Sequence, residues 1–123
     1  MSDTSSTLSK AVLLVDGLGC AAAAAAVSMP RVYRVVDPEL TTQSAVRKGL
    51  LVTSGVCILG AVTNPRRMLQ PAAVVNAGWV GACLCSFKHQ RTVLGRVLAA
   101  GTAVFDAAAG SVQWRLSATP HRS

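Results

Sequence analysis

Apolar residues in this chain gather into four long blocks, each closed at both ends by Lys or Arg. They cover 11 to 30 between Lys10 and Arg31, 49 to 65 between Lys48 and Arg66, 68 to 87 between Arg67 and Lys88, and 97 to 114 between Arg96 and Arg115. Each block is about 17 to 20 residues long, and a helix needs roughly that length to cross the ~30 Å hydrocarbon core of a bilayer. The pattern predicts an all-α fold, a four-helix transmembrane bundle with helices at about 10-29, 38-63, 71-88 and 93-115. Residues 10-116 then form one four-span membrane domain. The Ser/Thr-rich stretch 1-9 is expected to be a disordered N-terminal tail, and 117-123 a C-terminal tail.

Local signals set the expected boundaries. Pro30 stops the first helix. Asp37 followed by Pro38 predicts the start of the second, with Glu39 near its positive end. Asn64 and Pro65 close that helix, and Gln70 with Pro71 opens the third by the same logic. Thr92 is placed to cap the fourth. Tyr33 and Trp114 are expected as interfacial anchors, and Arg96 is expected to snorkel to the head groups. The first block also resembles a secretory signal peptide, but Asp16 interrupts it and it exceeds the usual apolar core of such a peptide, so a retained span is expected.

Composition supports lipid as the solvent: 51% of residues are hydrophobic and 14% charged, against roughly 25% charged in soluble domains. A net charge of +7 would suit nucleic acid if the basic residues shared a face with aromatics. Here they sit at block ends, which suits anionic lipid head groups and excludes nucleic acid as the expected partner. The richer side holds Arg31, Arg34, Arg47, Lys48, Lys88, Arg91 and Arg96; the other holds Lys10, Arg66, Arg67, Arg115 and Arg122. The imbalance is too small to fix an orientation. Cys20, Cys57, Cys83 and Cys85 all lie inside blocks, and Cys83 and Cys85 point to nearly opposite sides of a helix, so neither a metal nor any other cofactor is expected. His89 and His121 lie outside the blocks. No catalytic set emerges, and no enzyme is expected.

Two carboxylates fall inside the blocks, where each costs roughly 2.5 to 3.5 kcal/mol on insertion scales. Counted from the nearest basic boundary, Asp16 lies about 9 Å deep and Asp106 about 13 Å deep from the same side; Asn76 and Cys57 also come out about 13 Å deep. Thr102, Asp106 and Gln113 share one helical face, as do Asn76, Trp79, Cys83 and Phe87. The candidate polar layer, a proton or cation site, is therefore Asp16, Asn76, Asp106, Thr102 and Gln113. The plainer expectation is that these groups only bond helices together. Small residues at Gly17, Ala21, Gly55, Gly60, Ala77, Gly81, Gly101 and Gly110 predict close helix packing, within the chain or with a partner.

The segments VNAGWV at 75 to 80, TVLGRVL at 92 to 98 and VQW at 112 to 114 resemble small bacterial four-helix integral membrane proteins, through Asn76, Trp79, Leu94, Gly95, Gln113 and Trp114. The layout is more distantly similar to the DoxX-like membrane proteins. The resemblance implies a four-helix bundle in a bacterial inner (plasma) membrane and gives no reaction. The function expected is that of a multi-pass membrane protein without catalytic activity, an accessory or self-associating subunit whose partners are the lipid bilayer and either a second copy or another membrane protein. The alternative is a small proton-coupled transporter using the carboxylate layer.

Overall fold

The computed structural model describes residues 2–118, with side chains from residue 7 onward. Among these residues the chain forms five helices: α1 (Ser2–Val27), α2 (Pro30–Tyr33), α3 (Gln43–Thr63), α4 (Pro65–His89) and α5 (Val93–Ala118). Four of them are long and apolar enough to cross a membrane, and α2 is a single turn in the first linker. The all-α four-helix bundle predicted from the block lengths is the fold.

Four boundaries differ from expectation. Over residues 2–9, where a disordered tail is predicted, the chain is already helical, and Ser9 is buried one turn before the buried Leu13. Extending a nucleated helix costs far less than starting one, so the polar stretch continues α1 once the apolar face has formed. At the other end, Ser117 and Ala118 continue α5, and the remainder of the predicted C-terminal tail lies outside the described residues. The second long helix opens at Gln43 instead of 38. Asp37 closes a turn instead of capping a helix: its Oδ2 accepts the Thr42 backbone N–H at 2.8 Å, the Thr42 hydroxyl at 2.8 Å and the Thr41 hydroxyl at 3.1 Å. Within that turn Leu40 adopts φ 58°. The third long helix opens at Pro65 instead of 71, because Asn64 ends one helix and begins the next. Its backbone N–H donates to the Gly60 carbonyl, and its side chain accepts from the Arg67 N–H at 3.4 Å. Pro65 then takes the first helical position, where a missing N–H costs nothing, and Pro71 falls inside α4. Thr92 caps α5 as predicted, its Oγ1 accepting the Gly95 N–H at 3.0 Å.

The Asp37 turn carries a pH dependence. The Thr42 amide above all holds the Asp37 carboxyl below its usual range. A lowered carboxylate pKa gives stability that is present above the ordinary value and lost as pH falls through the lowered one. Protection of the Thr42 amide against hydrogen exchange, followed by NMR, should therefore hold at neutral pH and drop on acidification below the ordinary carboxylate range. Protection that does not change across that range would contradict the assignment.

The bundle is built from two helix pairs. α1 packs along α3 and α4 along α5, while contacts between the pairs are sparser. Each pair closes over a glycine. A Cβ on Gly17 would stand 2.7 Å from Ile58 Cγ1 and 3.2 Å from the Ser54 carbonyl oxygen, and one on Gly110 would stand 3.1 Å from Asn76 Cβ. The Ser54 hydroxyl donates to the Gly17 carbonyl at 2.7 Å, so a hydrogen bond exists where the α1 and α3 backbones approach. Leu13, Cys57, Ala61, Leu69 and Ala72 form the apolar core, with Leu14, Met68 and Leu116 against it. That core is thin. Only 22% to 28% of the most apolar window of each long helix is buried, and side chains such as Val52, Leu59, Val74 and Val104 point outward. In water such a surface would drive aggregation, whereas in lipid it is the solvated face.

Candidate functional site

Where the two helix pairs meet, each long helix contributes a polar or polarisable side chain to one buried cluster centred on Asp16. Asp16 Oδ2 accepts the Gln113 Nε2 amide at 2.6 Å and the Asn76 Nδ2 amide at 2.8 Å, and the Cys57 thiol approaches it at 3.7 Å. The Cys20 thiol lies 3.7 Å from Oδ1, one turn further along α1. Asn76 Nδ2 also donates to Gln113 Oε1 at 2.8 Å, which closes a triangle of three side chains from α1, α4 and α5. Asp16, Asn76, Cys57 and Gln113 are each at most 1% exposed. Within this cluster Asn76 Oδ1 is left buried without a partner.

The sequence places these groups together for a simple reason. In antiparallel helices, depth is a count of residues from the boundary, and Asp16, Cys57 and Asn76 count to similar depths. Gln113, two residues from Arg115, counts to only about 3 Å deep, so its place in the cluster does not follow from the depth count. Chemically the cluster is an acceptor surrounded by donors. Among the described residues no group of three or more His, Cys, Asp or Glu could hold a metal. The effect of the cluster is to tie α1 of one pair to α4 and α5 of the other.

Of the five predicted layer residues, three meet: Asp16, Asn76 and Gln113. The other two do not join them. Asp106 is on the same face of α5 as Gln113, about 10 Å along the axis, and is 8% exposed, but no hydrogen bond connects it to Asp16. The two carboxyls, counted to about 9 Å and about 13 Å deep, are therefore not joined by direct contact. Thr102 faces outward and returns its hydroxyl to the Leu98 carbonyl at 2.8 Å. The buried face of α5 runs through Ala99, Ala103, Asp106 and Gln113, and Thr102 is rotated roughly 50° off it. On α4, Asn76 is buried and Phe87 exposed, while the half-buried Trp79 donates Nε1 to Thr53 Oγ1 at 3.3 Å.

The predicted anchors take different places. Tyr33 is not exposed. It is buried, its hydroxyl 2.7 Å from Thr42 Oγ1, because the linker folds back over it. That burial pushes the phenol pKa above its ordinary value. Arg96 donates Nε to the Gln90 carbonyl at 3.3 Å. Trp114 is half exposed on the outer surface of α5. Residue spacing gave no sign of Gln90, which is buried and donates Nε2 to Val36 O and Ser86 Oγ at 2.9 Å each. Nor did it reveal Gln43, whose Nε2 reaches Val27 O at 2.8 Å. Both pin loops to segments far away in sequence, and no local period reports such contacts.

Asp106 instead opens onto a groove of about 550 Å³ between α4 and α5, lined also by Ala73, Ala77, Val80, Gly110, Trp114 and Arg115. No family model, curated protein or solved structure matches the chain.

Proposed function

We propose that this chain is a multi-pass protein of a bacterial inner membrane that acts without catalysis, by associating with a second copy through the outer face of α4. The observation that carries this reading is the open space at Gly78 and Gly81, where an added Cβ would meet nothing within 4 Å. A glycine inside a helix costs about 1 kcal/mol relative to alanine, and these two bring no close approach within the chain to offset it. Val74, Gly78, Gly81 and Cys85 fall on one exposed face at helical spacing. Lipid supplies no hydrophobic drive between helices, so small residues that let backbones approach are what a lipid-facing contact needs.

Native mass spectrometry of the protein released from lipid nanodiscs tests this. The expected species is a dimer that Gly81→Leu converts to monomer, with helicity unchanged because no intrachain contact is lost. A monomeric wild type would end the self-association reading, and a stoichiometric foreign protein would make the chain an accessory subunit. A second reading, a small proton-coupled transporter, draws support from the two buried carboxylates, Asp16 and Asp106. It requires flux in reconstituted vesicles that Asp106→Asn or Asp16→Asn abolishes; unaltered flux in both variants would dismiss it.

A further inference from the structure

We infer that the groove between α4 and α5 is a binding site for a compact lipophilic amine, whose ammonium group meets the Asp106 carboxylate at the deep end. The inference depends on neither self-association nor transport.

Asp106 is more than nine-tenths buried, lines the groove, and no hydrogen bond from the described chain reaches its carboxylate. The same bundle supplies Asp16 with two amide donors, so leaving a carboxyl bare is not a general habit of this fold. A carboxyl at low dielectric needs a donor or a counter-charge, and an alkylammonium provides both in one charge-assisted hydrogen bond. Depth narrows the choice of occupant. Asp106 lies nine residues, or about 13 Å, from Arg115, near the middle of the hydrocarbon core. Amine head groups of the surrounding lipids stay at the interface and do not reach it. An amine that does reach it must carry an apolar body.

The walls suit such a body. Ala73 and Gly110 form its floor where α4 and α5 come together, Ala77 projects little into it, Val80 lines it with hydrocarbon, and Trp114 offers a ring near the outer end. About 550 Å³ falls in the range of small-molecule sites and accommodates a molecule of one or two rings. Arg115 at the interfacial end repels a second positive charge, which favours a single cationic group placed at depth. An aromatic or alicyclic monoamine fits these terms better than a polyamine or a fatty acid.

The test uses the full chain in phosphatidylcholine nanodiscs with Trp79→Phe, which leaves Trp114 as the sole tryptophan of the two in the sequence. Dansylcadaverine is titrated as probe, and energy transfer from Trp114 to the dansyl group is read. The N-acetylated probe, with the same body and no charge, measures simple partition. Saturable transfer is expected with the amine and only a linear rise with the acetylated form. Asp106→Asn should weaken the saturable component by about tenfold or more, the scale of one charge-assisted contact. Ala77→Leu, which fills the groove and leaves the carboxylate intact, should abolish it. It also decides the matter if Asp106→Asn fails to fold. Equal behaviour of the two probes, or saturation unaltered in both variants, would overturn the inference.

Discussion

Asp16→Ala is expected to lower the stability of the bundle by about 2 kcal/mol and to separate the α1–α3 pair from the α4–α5 pair. The substitution removes the acceptor of two amide donors, Asn76 Nδ2 and Gln113 Nε2. In a soluble core each stranded donor costs about 1 to 3 kcal/mol. In membranes individual hydrogen bonds average about 0.6 kcal/mol, because groups in the unpacked state also find partners. Two amide bonds and two thiol contacts on that scale give the expected value. Asp16→Asn keeps an acceptor oxygen and should cost less than half as much. Reversible unfolding in mixed detergent micelles reads the loss, and energy transfer between labels on α3 and α5 reads the separation. Far-UV circular dichroism should stay constant, because the helices themselves do not depend on the cluster. An Asp16→Ala protein with the stability and label distance of the wild type would mean that the cluster joins nothing.

Gly17→Leu is expected to be the most damaging single change, about 3 kcal/mol, through overpacking and loss of a hydrogen bond. Already the first carbon of the new side chain would lie 2.7 Å from Ile58 Cγ1, 3.2 Å from the Ser54 carbonyl and 3.3 Å from Cys57 Cβ. The Ser54 carbonyl belongs to the helix backbone and cannot swing aside, so α1 and α3 must part. The Ser54 hydroxyl then loses the Gly17 carbonyl. A second glycine extends the test to the join of α3 and α4, and a third serves as an internal control. Gly60 packs on Met68 Cγ and on its Cβ, the latter only 2.6 Å from where a new Cβ would stand and fixed to the α4 backbone, so Gly60→Ala should force the α3–α4 join to shift and cost about 1 to 3 kcal/mol. Gly55 faces open space, and Gly55→Ala should be neutral or stabilising by up to about 1 kcal/mol. If the three variants had the same stability in mixed micelles, the α1–α3 crossing would be wrong.

The parts legible in the sequence are those fixed by length. Bilayer thickness sets how many apolar residues a span needs, so the four blocks translate directly into α1, α3, α4 and α5. Helix ends are less legible, because one residue type serves several local structures. Asp37 before Pro38 reads as a cap, yet its carboxylate closes a turn. Asn64 before Pro65 reads as a stop and is also the next start. Depth counting brought Asp16, Cys57 and Asn76 to one level because rise per residue hardly varies. It did not tell how each helix is rotated or which helices are neighbours. For that reason Asp106, at a matching depth, faces a groove instead of Asp16, and Thr102 turns away from the interior. Gln43 and Gln90 escaped notice because their partners, Val27 and Val36, lie outside any periodic pattern.

The claim that most depends on the molecule's outer surface is self-association through α4, and Cys85 offers a direct probe of it. Its thiol is exposed on the same face as Gly78 and Gly81, whereas Cys20 and Cys57 are buried. With Cys83→Ala to remove the remaining accessible thiol, mild copper-catalysed oxidation in native membranes should yield a disulfide-linked dimer on a non-reducing gel. That dimer should vanish in Cys85→Ser and fall sharply in Gly81→Leu. A Cys85 that stays monomeric under oxidation while remaining open to a membrane-permeant thiol reagent would show that α4 faces lipid alone, and the account of this protein as a self-associating membrane subunit would be contradicted.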